Sequence, residues 1–591
     1  MNDRVLRALG VIVGVALVLT AVLMPTGWYD TLPRPEMIPQ LPIRGSTLLK
    51  LMLGFQGIVL VTLGIRGVRW TPLPNDVRAQ SFTPRSEPDD LGKQQAMVWL
   101  AVITLVGIAL RVYGINSDLW IDELLSVRQF VHEPLVQIVG AYRTSNNHML
   151  MSLVLKTSVM IFGEHEWSVR LGTVTFGIIS IPATYRVARM AMSRRASLGA
   201  AALLAVSYHH IFFSQNARGY VTYVCFALLS ARALMDALRD DKVRDWVIFG
   251  AMTVLGFLAL LNTMFVIAAQ LLVVGGVVFE ARRRGANVRP LIGRVVTVFA
   301  VVGFLCVEAY SIALPEAYAF ITRAYTHAVT GFDLASSSLR DDVVRGVTDG
   351  FGMRLWLAAV PFLSLASFGL LVLWRRSWAV TTMLLMPGVL TAALLASRGM
   401  TFSPRFFLLW LPLAVITAIS TIDAIAQRFS SWQPSRQHAF SVSVVALLSV
   451  VSLVSLKRYY TVPKQPYTEA LRLVEQLRGP NDVVFLFHPS QVGMTYYGKK
   501  LNVPLDGNYV PVKWPSELDS ALVRNRGRRI IAVSTLERGM SNSRNSLLGR
   551  LYEDFKRDTM LAATIGNGEI SIWSQKVPGD SAASGTTNPR N

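Results

Sequence analysis

Long apolar runs separated by short polar turns repeat along most of the chain, and the pattern changes only near residue 458. Crossing a bilayer takes about 20 apolar residues. By that measure the sequence predicts about thirteen spans, over 8–24, 48–66, 95–112, 168–189, 196–213, 220–238, 245–261, 263–280, 291–314, 354–374, 378–397, 405–425 and 438–457. The run "HMLMSLVLKTSVMIFG" (His148 to Gly163) is short for a span and carries Lys156 at its middle. It is expected to be an interfacial helix. Beyond the last span the period shortens. "TEALRLVEQL" and "SLLGRLYEDF" have helical spacing, while "VVFLF" (Val483 to Phe487), "RRIIAV" and "EISIW" read as strands.

The expected fold is therefore an all-α polytopic bundle with juxtamembrane helices in its first long outer loop and a small C-terminal α/β soluble domain. The predicted organisation is two additional N-terminal spans with a cytoplasmic linker (1–94), a membrane module (95–457) with long outer loops at 113–167 and 316–352, an α/β domain (458–577) and a disordered tail (578–591).

Composition agrees, with 52% hydrophobic and only 16% charged residues among 591. A net charge of +21 would suit nucleic-acid binding, but the basic residues sit in the turns between apolar runs. Arg186, Arg189, Arg194 and Arg195, then Arg282 to Arg284, then Arg375 and Arg376, mark cytoplasmic turns, whereas Leu261 to Thr263 carries none. This predicts a multi-pass protein of the cell membrane with the N-terminus inside and the C-terminal domain outside. Cys225 and Cys306 both lie in apolar runs and read as core residues, not a disulfide.

The candidate chemistry gathers at the predicted outer rim. "SDLWIDE" places Asp118, Asp122 and Glu123 just after the third span. These acids either favour the positive end of a short helix or act on a substrate. Arg218, in "SQNARGY" with Gln215 and Tyr220, is either an interfacial anchor or an oxyanion ligand, and Arg405 is a second candidate of the same kind. Asn146 and Asn147 are sugar-hydroxyl partners or helix caps. His148, His209 and His210 are packing groups or ligands of a divalent metal. Arg323, Tyr325, His327 and Arg340 fall in the second outer loop. His488 and the Tyr496–Tyr497 pair are acceptor-stacking candidates in the C-terminal domain.

Five fragments, "LWIDE" (119–123), "NNHML" (146–150), "GEHEWSVRLGTV" (163–174), "SQNARGY" (214–220) and "SPRFFLLWLP" (403–412), together resemble the polytopic C-type (GT-C) glycosyltransferases that use polyprenyl-phosphate sugars. That superfamily includes the protein O-mannosyltransferases, the aminoarabinose transferases of lipid A and rhizobial lipopolysaccharide galacturonosyltransferases. The resemblance covers about Trp99 to Tyr460. It implies transfer of a sugar to a hydroxyl of a glycan, lipid or protein on the outer face, with inversion. It also implies a base in the first outer loop, for which Asp122 is the candidate, with Glu123 orienting the loop or binding a hydroxyl. Arg218, Tyr220, Gln215 and Arg405 are then expected on the donor phosphate, and Asn147, His148 and His210 on sugar or acceptor. Two departures stand out. His148-Met149-Leu150-Met151 replaces a common His-Pro-Pro-Leu-Tyr, and "LLNTM" with Asn262 stands where relatives often have histidine. They weaken the expectation of a bound divalent metal, the one cofactor left open. The alternatives are a lipid or glycan transporter or flippase, for which charged mid-span residues or paired broken helices would be expected, and a non-catalytic polysaccharide-assembly protein.

Overall fold

The computed structural model describes residues 3–25, 44–67, 70–78, 91–142, 146–319, 356–398, 403–428, 433–505, 507–537, 546–565 and 567–576. The second outer loop, with Arg323, Tyr325, His327 and Arg340, and the polar tail lie outside them. The chain forms two compact units. One holds Met1–Ile115, Ser126–Thr348 and Met353–Val454, and the other gathers Asn116–Leu125 with the chain from Ser455 onward.

The first unit is helical. Each predicted span coincides with a helix, and among the described residues eight helices are long and apolar enough to cross a membrane. A ninth is reached if Arg194–Val206 and Tyr208–Ser214, bent by 59° at Ser207, count as one broken span. The length-and-composition criterion thus gives eight or nine, against the thirteen predicted. Helices Asp3–Leu23 and Gly45–Arg66 form a hairpin. A Cβ on Gly14 would lie 2.7 Å from the Gly57 carbonyl, so only glycine lets these backbones touch. The best-buried helix, Tyr220–Asp240, has 83% of its apolar window inside the protein. Small and branched residues such as Val221, Val224 and Ala227 carry its packing, and all three are buried.

That helix ends at Asp241, which adopts a left-handed conformation (φ 51°, ψ 36°). Its carboxylate accepts from Leu73 N at 2.7 Å, Trp246 Nε1 at 2.9 Å and Arg294 Nη1 at 2.7 Å. Arg294 also stacks on Trp70, 3.4 Å from the ring centre. One buried carboxylate thereby ties the linker after the N-terminal hairpin to two other helices.

The short helices expected in the first outer loop are present at Ile121–Ser126, Leu135–Gly140 and Met149–Phe162, with a π-helical turn at Val127–Val131. Lys156, awkward in the apolar run, donates to Val131 O and Glu133 O, both at 2.7 Å. Its charge serves the end of the π-turn, where carbonyls lack helical partners.

The second unit carries a five-stranded sheet of order β2-β1-β3-β5-β4, with β1 Val483–Phe487, β2 Tyr509–Val512, β3 Ile530–Thr535, β4 Phe555–Leu561 and β5 Ile570–Gln575. β1 runs parallel to β2 and β3, and β5 is antiparallel to β3 and β4. β1 and β3 are buried along their whole length, as continuous apolar runs between covered faces should be.

Candidate functional site

The predicted site residues fall into two groups, one in each unit, and each group is best read from its own surroundings. In the helical unit, His148 precedes helix Met149–Phe162 and is only 6% exposed. Its ring meets Tyr220 edge-on at 5.4 Å. Arg218 lies over the same Tyr220 ring at 5.1 Å and is equally buried. Arg405 sits in the turn Pro404–Phe407, whose Phe406 packs against Tyr220 at 6.5 Å. Gly219 is required here, because a Cβ would lie 2.1 Å from Ala259 O and 3.0 Å from His148 Nδ1.

Burial, then the positive charge of Arg218 and more weakly that of Arg405, push the His148 imidazole down to about 3, against an opposing effect of the Ala259 backbone. The ring is therefore neutral at physiological pH, beside two guanidiniums. Two groups add to the picture: His148 Nε2 and both ends of the Asn216 carboxamide are buried without a hydrogen-bond partner among the described residues. Buried polar groups in that state are uncommon and call for a ligand or a water. Asn216 carried no signal in the sequence beyond its place in "SQNARGY".

Three expected ligands turn out to be structural. Gln215 uses both amide hydrogens on Arg111 O (2.7 Å) and Tyr113 O (2.8 Å), closing the end of helix Lys93–Val112. Asn147 donates to Ile138 O and Ala141 O and accepts from Ser152 Oγ, so its carboxamide holds the loop and is not offered to a sugar. His210 is fully buried, with Nδ1 2.8 Å from Arg111 Nη2. The reason lies in the break at Ser207. It strands the carbonyls of the preceding helix, and Arg111 reaches Ala205 O (2.9 Å) and Leu204 O (3.4 Å) while contacting His210 and Ser214. A cation at a helix C-terminus also suits its dipole. Arg111 is thus an important residue that sequence reasoning did not single out.

In the second unit, the contacts give Asp118 and Glu123 different roles. The Asp118 carboxylate accepts from Thr468 N (2.7 Å) and Thr468 Oγ1 (2.8 Å) at the start of helix Tyr467–Leu477. Its charge, after burial, helps hold the Tyr467 phenol above its ordinary range. Glu123 is fully buried. Its Oε2 lies 3.7 Å from Lys464 Nζ and accepts from Trp120 N at 3.3 Å. Of the two options the sequence left for Glu123, this geometry fits loop positioning. Asp122 is half-buried. Next to it, Trp120 Nε1 is buried without a hydrogen-bond partner among the described residues. Tyr497 is only 1% exposed, its hydroxyl accepting from Leu119 N at 2.6 Å, which removes it from acceptor stacking; His488 is exposed and Tyr496 half-buried. No group of three or more His, Cys, Asp or Glu side chains is arranged to hold a metal among the described residues.

Residues 147–309 match the family described as dolichyl-phosphate-mannose-protein mannosyltransferase. The resemblance to polyprenyl-phosphate-using C-type glycosyltransferases read from the fragments is found again by this match. No curated protein matches the chain. Solved structures with some likeness include ArnT from Cupriavidus metallidurans bound to undecaprenyl phosphate (TM-score 0.45, 11% identity, covering 82% of this chain and 98% of that one). Another is the archaeal oligosaccharyltransferase AglB from Archaeoglobus fulgidus in complex with an inhibitory peptide and a dolichol-phosphate (TM-score 0.46, 13% identity, covering 76% and 70%).

Proposed function

We propose that this multi-pass membrane protein is a glycosyltransferase that moves a sugar from a polyprenyl-phosphate donor to a hydroxyl of a glycan, lipid or protein acceptor on the outer face of the membrane. The observation that supports it most is the Arg218–His148–Arg405 cluster, two guanidiniums around a neutral imidazole, with Arg218 and His148 inside the 147–309 match. A planar guanidinium holds two phosphate oxygens at once, and the charge is worth more where water is excluded.

In this reading the acceptor oxygen attacks the anomeric carbon as the carbon–oxygen bond to phosphate breaks. The bonding pair leaves with the polyprenyl phosphate, whose charge Arg218 and Arg405 stabilise. The hydroxyl proton passes to a carboxylate base, the role that the sequence resemblance implies for Asp122, and attack opposite the leaving group inverts the centre. Asp118 and Glu123 hold the segment that carries the base, and Asn216 is placed to meet a polar group of the donor.

The test is release of polyprenyl phosphate by the purified protein from a panel of polyprenyl-phosphate sugars. Release with one sugar, lost in Asp122→Asn while the variant still inserts and melts as the parent does, is the expected result. Undiminished release from that variant would remove Asp122 from the mechanism, and no release from any donor would remove the reading itself.

A further inference from the structure

In α/β domains whose parallel strands connect to opposite sides of a central strand, ligands are taken up at the carboxyl ends of those strands, where the order reverses. Here that point lies at the ends of β1 and β3, because β2 and β3 flank β1 on opposite sides. The chain's own Asn116–Leu125 segment is bound by the residues around it. Ile121 N donates to Gln465 Oε1 at 2.6 Å, and Gln465 Nε2 donates to Thr535 Oγ1, at the end of β3, at 3.2 Å. Leu119 N donates to the hydroxyl of Tyr497, on helix Ser490–Lys500, which follows β1 directly.

Leu119 lies just ahead of helix Ile121–Ser126 and Ile121 opens it, where backbone N–H groups have no partner within the helix. Main-chain bonds of this kind supply affinity for a peptide, and side chains in fitted places supply register. The register is fixed three times over. Asp118 sits on the first turn of helix Tyr467–Leu477, Glu123 pairs with the buried Lys464, and Leu119 is completely buried. The receptor is built for this arrangement. Tyr467 stacks on Tyr497 with centroids 6.1 Å apart, and a Cβ at Gly493 would meet the Tyr467 ring at 2.2 Å.

We infer that the C-terminal domain is a peptide-binding module whose occupant is the Asn116–Leu125 segment, and that Gln465, Tyr497, Lys464 and Thr468 are positioning residues for Asp122. The docking half stands on contacts alone, and the positioning half rests on the glycosyl-transfer reading. The domain's work is to fix the register of the acidic segment, so its side chains at this edge act on catalysis without touching substrate.

Hydrogen–deuterium exchange on the full-length protein in detergent or nanodiscs tests this, comparing parent, Gln465→Ala and Tyr497→Phe. Peptides spanning 117–122 are expected to exchange roughly tenfold faster in either variant, the consequence of one buried donor losing its acceptor. Peptides from β1 and β3 should keep their protection, which separates undocking from unfolding. Unchanged exchange over 117–122 overturns the proposal. In transfer assays the same variants, with Lys464→Met, should lower kcat while leaving the donor KM unchanged, and Lys464→Arg should restore most of the rate. Faster exchange with unaltered kcat overturns the positioning role. Full activity in Asp122→Asn would instead defeat the glycosyl-transfer reading, and exchange would still decide the docking.

Discussion

The basic cluster of the helical unit and the acidic segment of the sheet-bearing unit both place charged side chains out of water, by opposite means. Around Arg218 and His148 the surroundings are rings and close backbone: Tyr220, Phe406, and a glycine that lets Ala259 O approach. Around Asp118 and Glu123 the surroundings are hydrogen bonds and an ion pair. A cluster held by packing leaves polar atoms such as Asn216 Nδ2 and Oδ1 unmet. A segment held by polar ties leaves few atoms over, with the Trp120 indole as an exception. The first arrangement is prepared for a partner, and the second has already found its own.

The sharpest way to break this comparison is at Asp122, which lies between Asp118 and Glu123 in the sequence. Asp122→Asn is expected to lower transfer by about 10²–10⁴-fold, the usual worth of a positioned base, with thermal stability unchanged. Lys464→Met leaves Glu123 buried without its cation and should destabilise the second unit by about 3–5 kcal/mol, measured by thermal melting. Adding Glu123→Gln should recover most of that loss, since removing both charges costs far less than removing one. Arg218→Ala should raise the donor KM by roughly ten- to a hundredfold, and Arg218→Lys should recover only part of it, because an ammonium cannot hold two oxygens in a plane. Gln215→Ala should leave donor KM alone and cost about 1–3 kcal/mol of stability, as two helix-end carbonyls lose their donor.

The smallest effect is a pH dependence. The His148 imidazole is held at about 3 in the folded protein against 6.5 when exposed, so the unfolded chain binds more protons between those values. Stability from this group is complete above 6.5 and is lost as pH falls toward 3. His148→Asn should therefore flatten the decline in melting temperature measured from pH 6.5 downward. An identical slope in both proteins would contradict a buried neutral ring.

The helices were legible in the sequence because bilayer-length apolar runs have few other readings. β1, β3 and β5 were legible for the same reason, as short apolar runs between turns. β4 was not: Lys556, Arg557 and Asp558 are exposed on a strand at the edge of the sheet, where no buried face imposes alternation. β2, four residues with Pro511 at the opposite edge, is equally quiet. At the site, types and neighbourhoods were readable and roles were not. Gln215, Asn147 and His210 look like ligands in a one-dimensional string, yet each answers a backbone or guanidinium demand created by a distant break or helix end. The assignment of Asn116–Leu125 to the C-terminal unit was also beyond reach, since 378 positions separate Leu119 from Tyr497.

The Asp241 junction has a consequence for how the protein can be shortened. Because Trp70 and Leu73 clasp this residue together with Trp246 and Arg294, the stretch after the first hairpin is a structural clip. A truncation starting near residue 70 keeps the clip closed, whereas one starting at residue 91 strands an aspartate inside the protein with part of its shell gone. These two deletions should then differ sharply in yield, the longer product being the better behaved.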